Sequence, residues 1–210
     1  MPTLKDTKGT LIVPPVCLPQ IKAQRTSTKK ATDPAAKWSD SIRADWAETV
    51  KYHPGEVRSV LDLGCGLGGY DVFLHRTYSP NLYMLDRNEW SDVVGYGYSK
   101  TPSAYCHFVD VQTFMAANDV SPSAYTLTVD LFDAMAPLDM VVSFVSWGFH
   151  YPIAAYLDRV APLMRPGARL IIDLRTSHAS EAFDQIRAAI GRSVAVMAGV
   201  KHVRCVFEKG

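Results

Sequence analysis

The chain has 210 residues, 48% apolar and 20% charged, with a net charge of +1, the balance of an ordinary globular domain large enough to bury a sizeable core. No apolar run approaches the roughly 20 residues of a membrane-spanning helix, and Leu11-Ile12-Val13 is too short for the apolar part of a secretion signal, so cytoplasmic residence is expected. Cys17, Cys65, Cys106 and Cys205 are scattered without paired spacing, which argues against a zinc site and a disulfide framework.

The first 37 residues hold seven Lys/Arg against two Asp/Glu, prolines at 14, 15, 19 and 34, and almost no hydrophobic periodicity. They are expected to form a basic arm, partly disordered or wrapped on a surface, with the folded domain running from 38 to 210. Such an arm is a solubilising tail or a contact for nucleic acid, membrane or an acidic partner. Ser39 is then expected to cap a helix carrying Ile42, Trp46 and Val50 at four-residue spacing.

Val60 to Asp62 reads as a buried parallel strand that breaks into Gly64, Gly66 and Gly68. Glycines at alternate positions let the backbone turn sharply and pass close to a ligand. Tyr70 to Arg76 can open a helix whose free N–H groups face the same ligand. A P-loop is ruled out because no Gly-Lys-Ser/Thr follows. A dinucleotide fold stays open, since Gly69 lies three residues after Gly66. About 20 residues on, where such a fold places an acid for the ribose, the strand Leu82 to Leu85 ends in Asp86. Beyond it, Gly95-Tyr96-Gly97-Tyr98 combines flexible backbone with two aromatic platforms; these either stack on a sugar or base, or cover the edge of the core. Asp110 reads as the cap of a helix carrying Val111, Phe114 and Met115. A third strand, Tyr125 to Val129, closes on Asp130, about eight residues before the next strand, Asp139 to Val145.

The pattern Asp62-x-Gly64-x-Gly66-x-Gly68 resembles motif I of class I S-adenosylmethionine (SAM) methyltransferases, and the likeness spans roughly residues 58 to 208. It implies an α/β, Rossmann-like three-layer sandwich with a mostly parallel seven-stranded sheet and an antiparallel last strand. It also implies an enzyme whose cofactor is SAM. The implied cofactor contacts are Asp62, Gly64, Cys65, Gly66 and Gly68 at the turn, Asp86 and Arg87 at the ribose, and Asp130 with the Leu131 N–H at the adenine. Ser146 and Trp147 follow the fourth strand, where the family faces the transferred methyl group. Trp147 either walls this pocket or packs in the core.

Further along, Tyr156 to Met164 has apolar residues at helical spacing, and Arg165-Pro166-Gly167 is expected to stop that helix before a strand from Ala168 to Leu174. Glu181 to Ile190 puts Ala182, Phe183, Ile186 and Ile190 on one helical face. Ser193 to Met197 and His202 to Phe207 then read as a closing hairpin, as at the end of this family's sheets.

The string Ser146-Trp147-Gly148-Phe149-His150-Tyr151-Pro152 lacks the Asp/Asn-Pro-Pro-aromatic motif of base-amine methylases, and no cysteine follows a proline as ring-carbon methylases need. Together with Ile171 to Arg175, it resembles two short strings of bacterial methyltransferases associated with polysaccharide genes. The expected activity is O-methylation of a small-molecule or carbohydrate-like acceptor. The alternatives are a nucleic-acid methyltransferase using the basic arm, or a catalytically silent structural or regulatory protein. His150 is the candidate general base, because imidazole titrates near working pH; its other reading is a hydrogen-bonded structural residue. Tyr96, Tyr98, Tyr151 and Arg175 are the candidate acceptor contacts, with a solvated strand-end arginine as the alternative for Arg175.

Overall fold

The computed structural model describes residues 9–24, 28, 30–90, 105–131, 133 and 135–210. Seven strands form one sheet: β1 (Ser59–Leu63), β2 (Asn81–Leu85), β3 (Tyr125–Thr128), β4 (Leu138–Ser143), β5 (Met164–Arg175), β6 (Gly191–Ala198) and β7 (His202–Lys209). Their spatial order is β3-β2-β1-β4-β5-β7-β6. The first five run parallel, and β7 lies antiparallel between β5 and β6. This is the architecture expected from the sequence.

Helices cover both faces because residues alternate across a strand. On one face, Val60, Leu82, Met84, Met140 and Ile171 pack under α1 (Leu18–Gln24), α2 (Pro34–Thr49), α3 (Gly69–Tyr78) and α4 (Phe108–Ala117), with Trp38, Trp46, Phe73 and Phe114 filling the layer. On the other face, Leu61, Leu63, Val141 and Ile172 pack under the single turn α5 (Leu157–Val160) and α6 (Ala179–Ala189). A Cβ on Gly69 would stand 2.7 Å from the Trp38 ring, so the bare backbone at 69 lets α2 lie directly on the start of α3. The end of α2 is tied to α3 through Thr49 Oγ1, the Tyr70 hydroxyl and His53 Nε2, with separations of 2.6 and 2.8 Å. Burial lowers His53 to about 4 and keeps its ring neutral.

Three local expectations change, and residues 9–24 of the arm take the wrapped alternative. The cap of α2 is Asp33, whose side chain accepts from the Ala36 N–H at 2.9 Å with Pro34 in the first turn, and Ser39 is buried inside the helix. The helix α4 is flanked by His107, which places Asp110 in its first turn. Between Tyr156 and Met164 the helix lasts one turn and tightens over Ala161–Leu163, where Pro162 offers no N–H, so Arg165-Pro166-Gly167 falls within β5. Within the arm, Leu11, Cys17 and Ile21 are buried, and Asn118 binds both the N–H and the carbonyl of Ile12 at 2.9 and 2.8 Å. Residues 9–24 therefore pack on the domain rather than trailing from it as a solubilising tail would. No helix among the described residues is long and apolar enough to cross a membrane.

Candidate functional site

A cavity of about 620 Å³ opens at the carboxyl ends of the parallel strands, where ligands of open α/β sheets bind. Its lining includes Gly64, Asp86, Arg87, Asp130, Ser146, His150 and Tyr151, so seven of the residues singled out in the sequence meet there. Tyr156 and Arg159 complete the wall between β3 and β4. Periodicity alone gave no signal for these two, since the short α5 was read as a longer helix.

The turn after β1 is fixed from below. Gly64 N and Cys65 N donate to the Leu85 carbonyl at 2.7 and 3.2 Å, and Gly66 N donates to Asp86 Oδ2 at 2.8 Å. Gly64 has φ +84°, and a Cβ there would stand 1.9 Å from Ser146 Oγ. Only hydrogen fits where the β1 turn meets the β4 loop. Burial pushes the Asp86 carboxyl up to about 6, while hydrogen bonds from the Gly66 and Arg87 N–H groups oppose that rise. Gly68, at φ +79°, leads into α3, and Cys106 Sγ donates to the Gly66 carbonyl at 3.3 Å.

Below this turn lie two carboxyl groups, Asp62 on β1 and Asp71 on α3, exposed by 4% and 0%. Burial raises Asp62 first, and the neighbouring Asp71 and Asp86 raise it further. Burial also raises Asp71, to about 7. Asp71 carried no signal in the sequence, because an acid in the first turn of a helix is ordinary there.

The loop after β4 is held at several points. Val145 has φ +53°, an uncommon conformation for a β-branched residue and a mark of local strain at the strand exit. The Trp147 N–H donates to Ser143 Oγ at 2.9 Å, and its indole Nε1 donates to the Ile153 carbonyl at 3.0 Å. Trp147 is fully buried in the core beneath the cavity and does not line it. Arg175 Nε donates to the Phe149 carbonyl at 2.7 Å and its guanidinium lies 4.4 Å from the center of the Phe149 ring, so this side chain fastens the loop that carries His150. Ser146 Oγ and the Tyr151 hydroxyl are 3.1 Å apart, and burial holds the phenol neutral.

At the other wall, Asp130 Oδ1 accepts from its neighbour Leu131 N–H at 2.8 Å and from Arg159 Nη1 at 2.7 Å, while Arg159 Nη2 donates to the Leu131 carbonyl at 2.9 Å. The hydrogen bond from Arg159 holds the Asp130 carboxyl below its ordinary range. The groups that the family resemblance assigns to adenine are thus engaged with each other and with Arg159. Tyr96 and Tyr98 lie outside the described residues.

The sheet order, the glycine turn and the cavity at the strand ends together define the Rossmann-like fold of class I SAM methyltransferases. The chain is similar to the ribosomal protein L11 methylase of Lactobacillus delbrueckii subsp. bulgaricus, with 12% identity and a TM-score of 0.61 over 81% of this chain and 79% of that one. It is also similar to the O-methyltransferase TomG of Streptomyces achromogenes, solved with SAM, at 14% identity and a TM-score of 0.55 over 95% and 92% of the two chains. A third similar structure is the 16S rRNA N2 G1207 methyltransferase of T. thermophilus with AdoMet and guanosine, at 16% identity and a TM-score of 0.53 over 86% and 44%. No protein-family model and no curated protein matches the chain.

Proposed function

We propose that this protein is a SAM-dependent methyltransferase acting on a hydroxyl of a small-molecule or carbohydrate-like acceptor. The observation that carries the reading is the meeting of Gly64, Asp86, Asp130, Ser146, His150 and Tyr151 around one cavity at the carboxyl ends of the strands. The structures it resembles include one solved with SAM and one with AdoMet and guanosine, and the residues present fit such a cofactor. The Gly64 backbone and the Asp86 carboxylate line the same cavity, with Ser146 closing directly on the glycine. Gly64, Gly66 and Gly68 would hold the cofactor against the turn, with Asp62 and Cys65 beneath. Asp86 with Arg87 would hold the ribose, and Asp130 with Leu131 the adenine once Arg159 yields those contacts.

Bound SAM supplies a sulfonium methyl group as the electrophile. His150 accepts the acceptor hydroxyl's proton on an imidazole nitrogen and passes it to solvent. Tyr151 and Ser146 orient the acceptor oxygen, and Arg175 keeps the His150 loop in register.

Calorimetry with SAM tests the cofactor, and a panel of hydroxyl compounds, saccharides and RNA, assayed with methyl-labelled SAM, tests the acceptor. His150→Ala should lower turnover roughly 100-fold or more while leaving SAM affinity within a few fold. Loss of both together would make His150 part of the cofactor pocket, and transfer to RNA alone would overturn the small-acceptor reading.

A further inference from the structure

Two buried carboxyl groups under the glycine turn have no counter-charge among the described residues. Asp71 is fully buried, and neither of its oxygens has a hydrogen-bond partner of ordinary geometry among the described residues. The group it faces is Asp62. No described lysine, arginine or histidine acts on either one; the cation of this region, Arg87, acts on Asp86. The place is the underside of the ligand turn itself: a Cβ on Gly68 would stand 3.5 Å from Asp71 Oδ2.

Two like charges in contact and out of water cannot both persist; one carboxyl keeps a proton, or a cation arrives. SAM carries a sulfonium, an ammonium and a carboxylate group, with a net charge of one positive unit on that part of the molecule. We infer that Asp62 and Asp71 share a proton in the free protein and release it to solvent when the positively charged cofactor settles on the turn, which makes Asp71 a charge-selecting residue of that site. The inference rests on the cofactor reading above. The step balances simply: one carboxyl O–H is lost, the proton passes to buffer, and the carboxylate left behind is neutralised by the cofactor's charge.

The other titratable groups facing the pair do not take over this role. Burial pushes the thiols of Cys65 and Cys106 up, and Asp110 acts on Cys106 alone of these. The Tyr151 phenol, across the turn, is held neutral by burial. Asp86, pushed up to about 6 by burial, is bound by two N–H groups and accompanied by Arg87, so it is mostly ionised at neutral pH. Asp71→Asn leaves it in place and so separates its proton from that of the pair.

Calorimetric titration of the full chain with SAM near neutral pH, in phosphate and in Tris, reads the proton directly, because the two buffers differ in heat of ionisation. The expected result is an apparent enthalpy that differs between buffers, equivalent to as much as about one proton released, and a SAM affinity that rises with pH by up to about tenfold per unit before levelling off. Asp71→Asn should bind SAM with little buffer dependence and a flatter pH profile, and Asp71→Ser serves if the amide fails to fold. The empty protein gives a second readout. A carboxyl raised in the folded state binds more protons folded than unfolded, so its stability contribution is present at acidic pH and is lost as pH rises through the raised value. The wild-type melting temperature should therefore fall on going from about pH 5 to pH 8, and the fall should shrink in the variant. Tight binding with identical enthalpies in both buffers would overturn the inference alone. Absence of SAM binding at every pH would overturn the cofactor reading beneath it.

Discussion

Replacing Arg204 by Leu tests a buried charge cluster in which one guanidinium meets three carboxylates. Arg204 is 3% exposed and donates to both oxygens of Asp173, at 2.7 and 2.9 Å, to Glu48 at 2.7 Å and to Asp45 at 2.9 Å. Its guanidinium also lies 4.7 Å from the center of the Phe144 ring. The loss is dominated by Asp173, which is fully buried and, among the described residues, would keep only His202 Nε2, at 3.8 Å, as a basic neighbour, a defect that costs about 3–5 kcal/mol. Glu48 is half exposed and contributes little by comparison. At roughly 2–4 °C per kcal/mol for a chain of this size, the melting temperature should drop by about 6–20 °C. Urea unfolding followed by circular dichroism measures the free energy, and the double variant Arg204→Leu with Asp173→Leu should recover much of the loss, since the stranded charge is then gone. A single variant costing under about 1 kcal/mol would refute this reasoning, as would a double variant whose loss equals the sum of the two single losses.

Gly64→Ala combines an unfavourable φ with a contact to Ser146 that cannot be relieved without moving the β4 loop; SAM affinity should fall at least tenfold by calorimetry, and unchanged affinity would remove the turn from the site. Deleting residues 1–24 uncovers the places filled by Leu11, Cys17 and Ile21; at about 1.5–3 kcal/mol for each large apolar side chain, the melting temperature should fall by at least several degrees, and an unchanged melt would show that the packed arm adds nothing.

The sheet was legible because its strands are short apolar runs closed by acids or glycines, and Asp62, Asp86 and Asp130 mark three consecutive strand exits. The cavity-lining residues from those exits and from the β4 loop were legible for the same reason. Pairing partners were harder to see. Arg159 meets Asp130 and Arg204 meets Asp173 across distant sequence, and no local pattern encodes such contacts. Asp71 carries no signal of its own in the sequence, since burial of a first-turn side chain depends on what packs above it. For the arm, proline and lysine content left open whether it trails or wraps on the surface, and the burial of Leu11, Cys17 and Ile21 favours wrapping over residues 9–24.

The position of β7 between β5 and β6 also dictates an order of assembly. β6 pairs with β7 and with no other strand, so it has no place on the sheet until β7 is laid against β5. β6 can join the sheet only with β7 or after it, and the pairing of the two is local in sequence. Until β7 docks, β5 is an open edge carrying an apolar face, and Asp173 on it waits for the cation that β7 brings. The docking of β7 thus closes an aggregation-prone edge and neutralises a stranded charge in one event, joining the last strand to Asp45 and Glu48 on α2, 159 and 156 residues away.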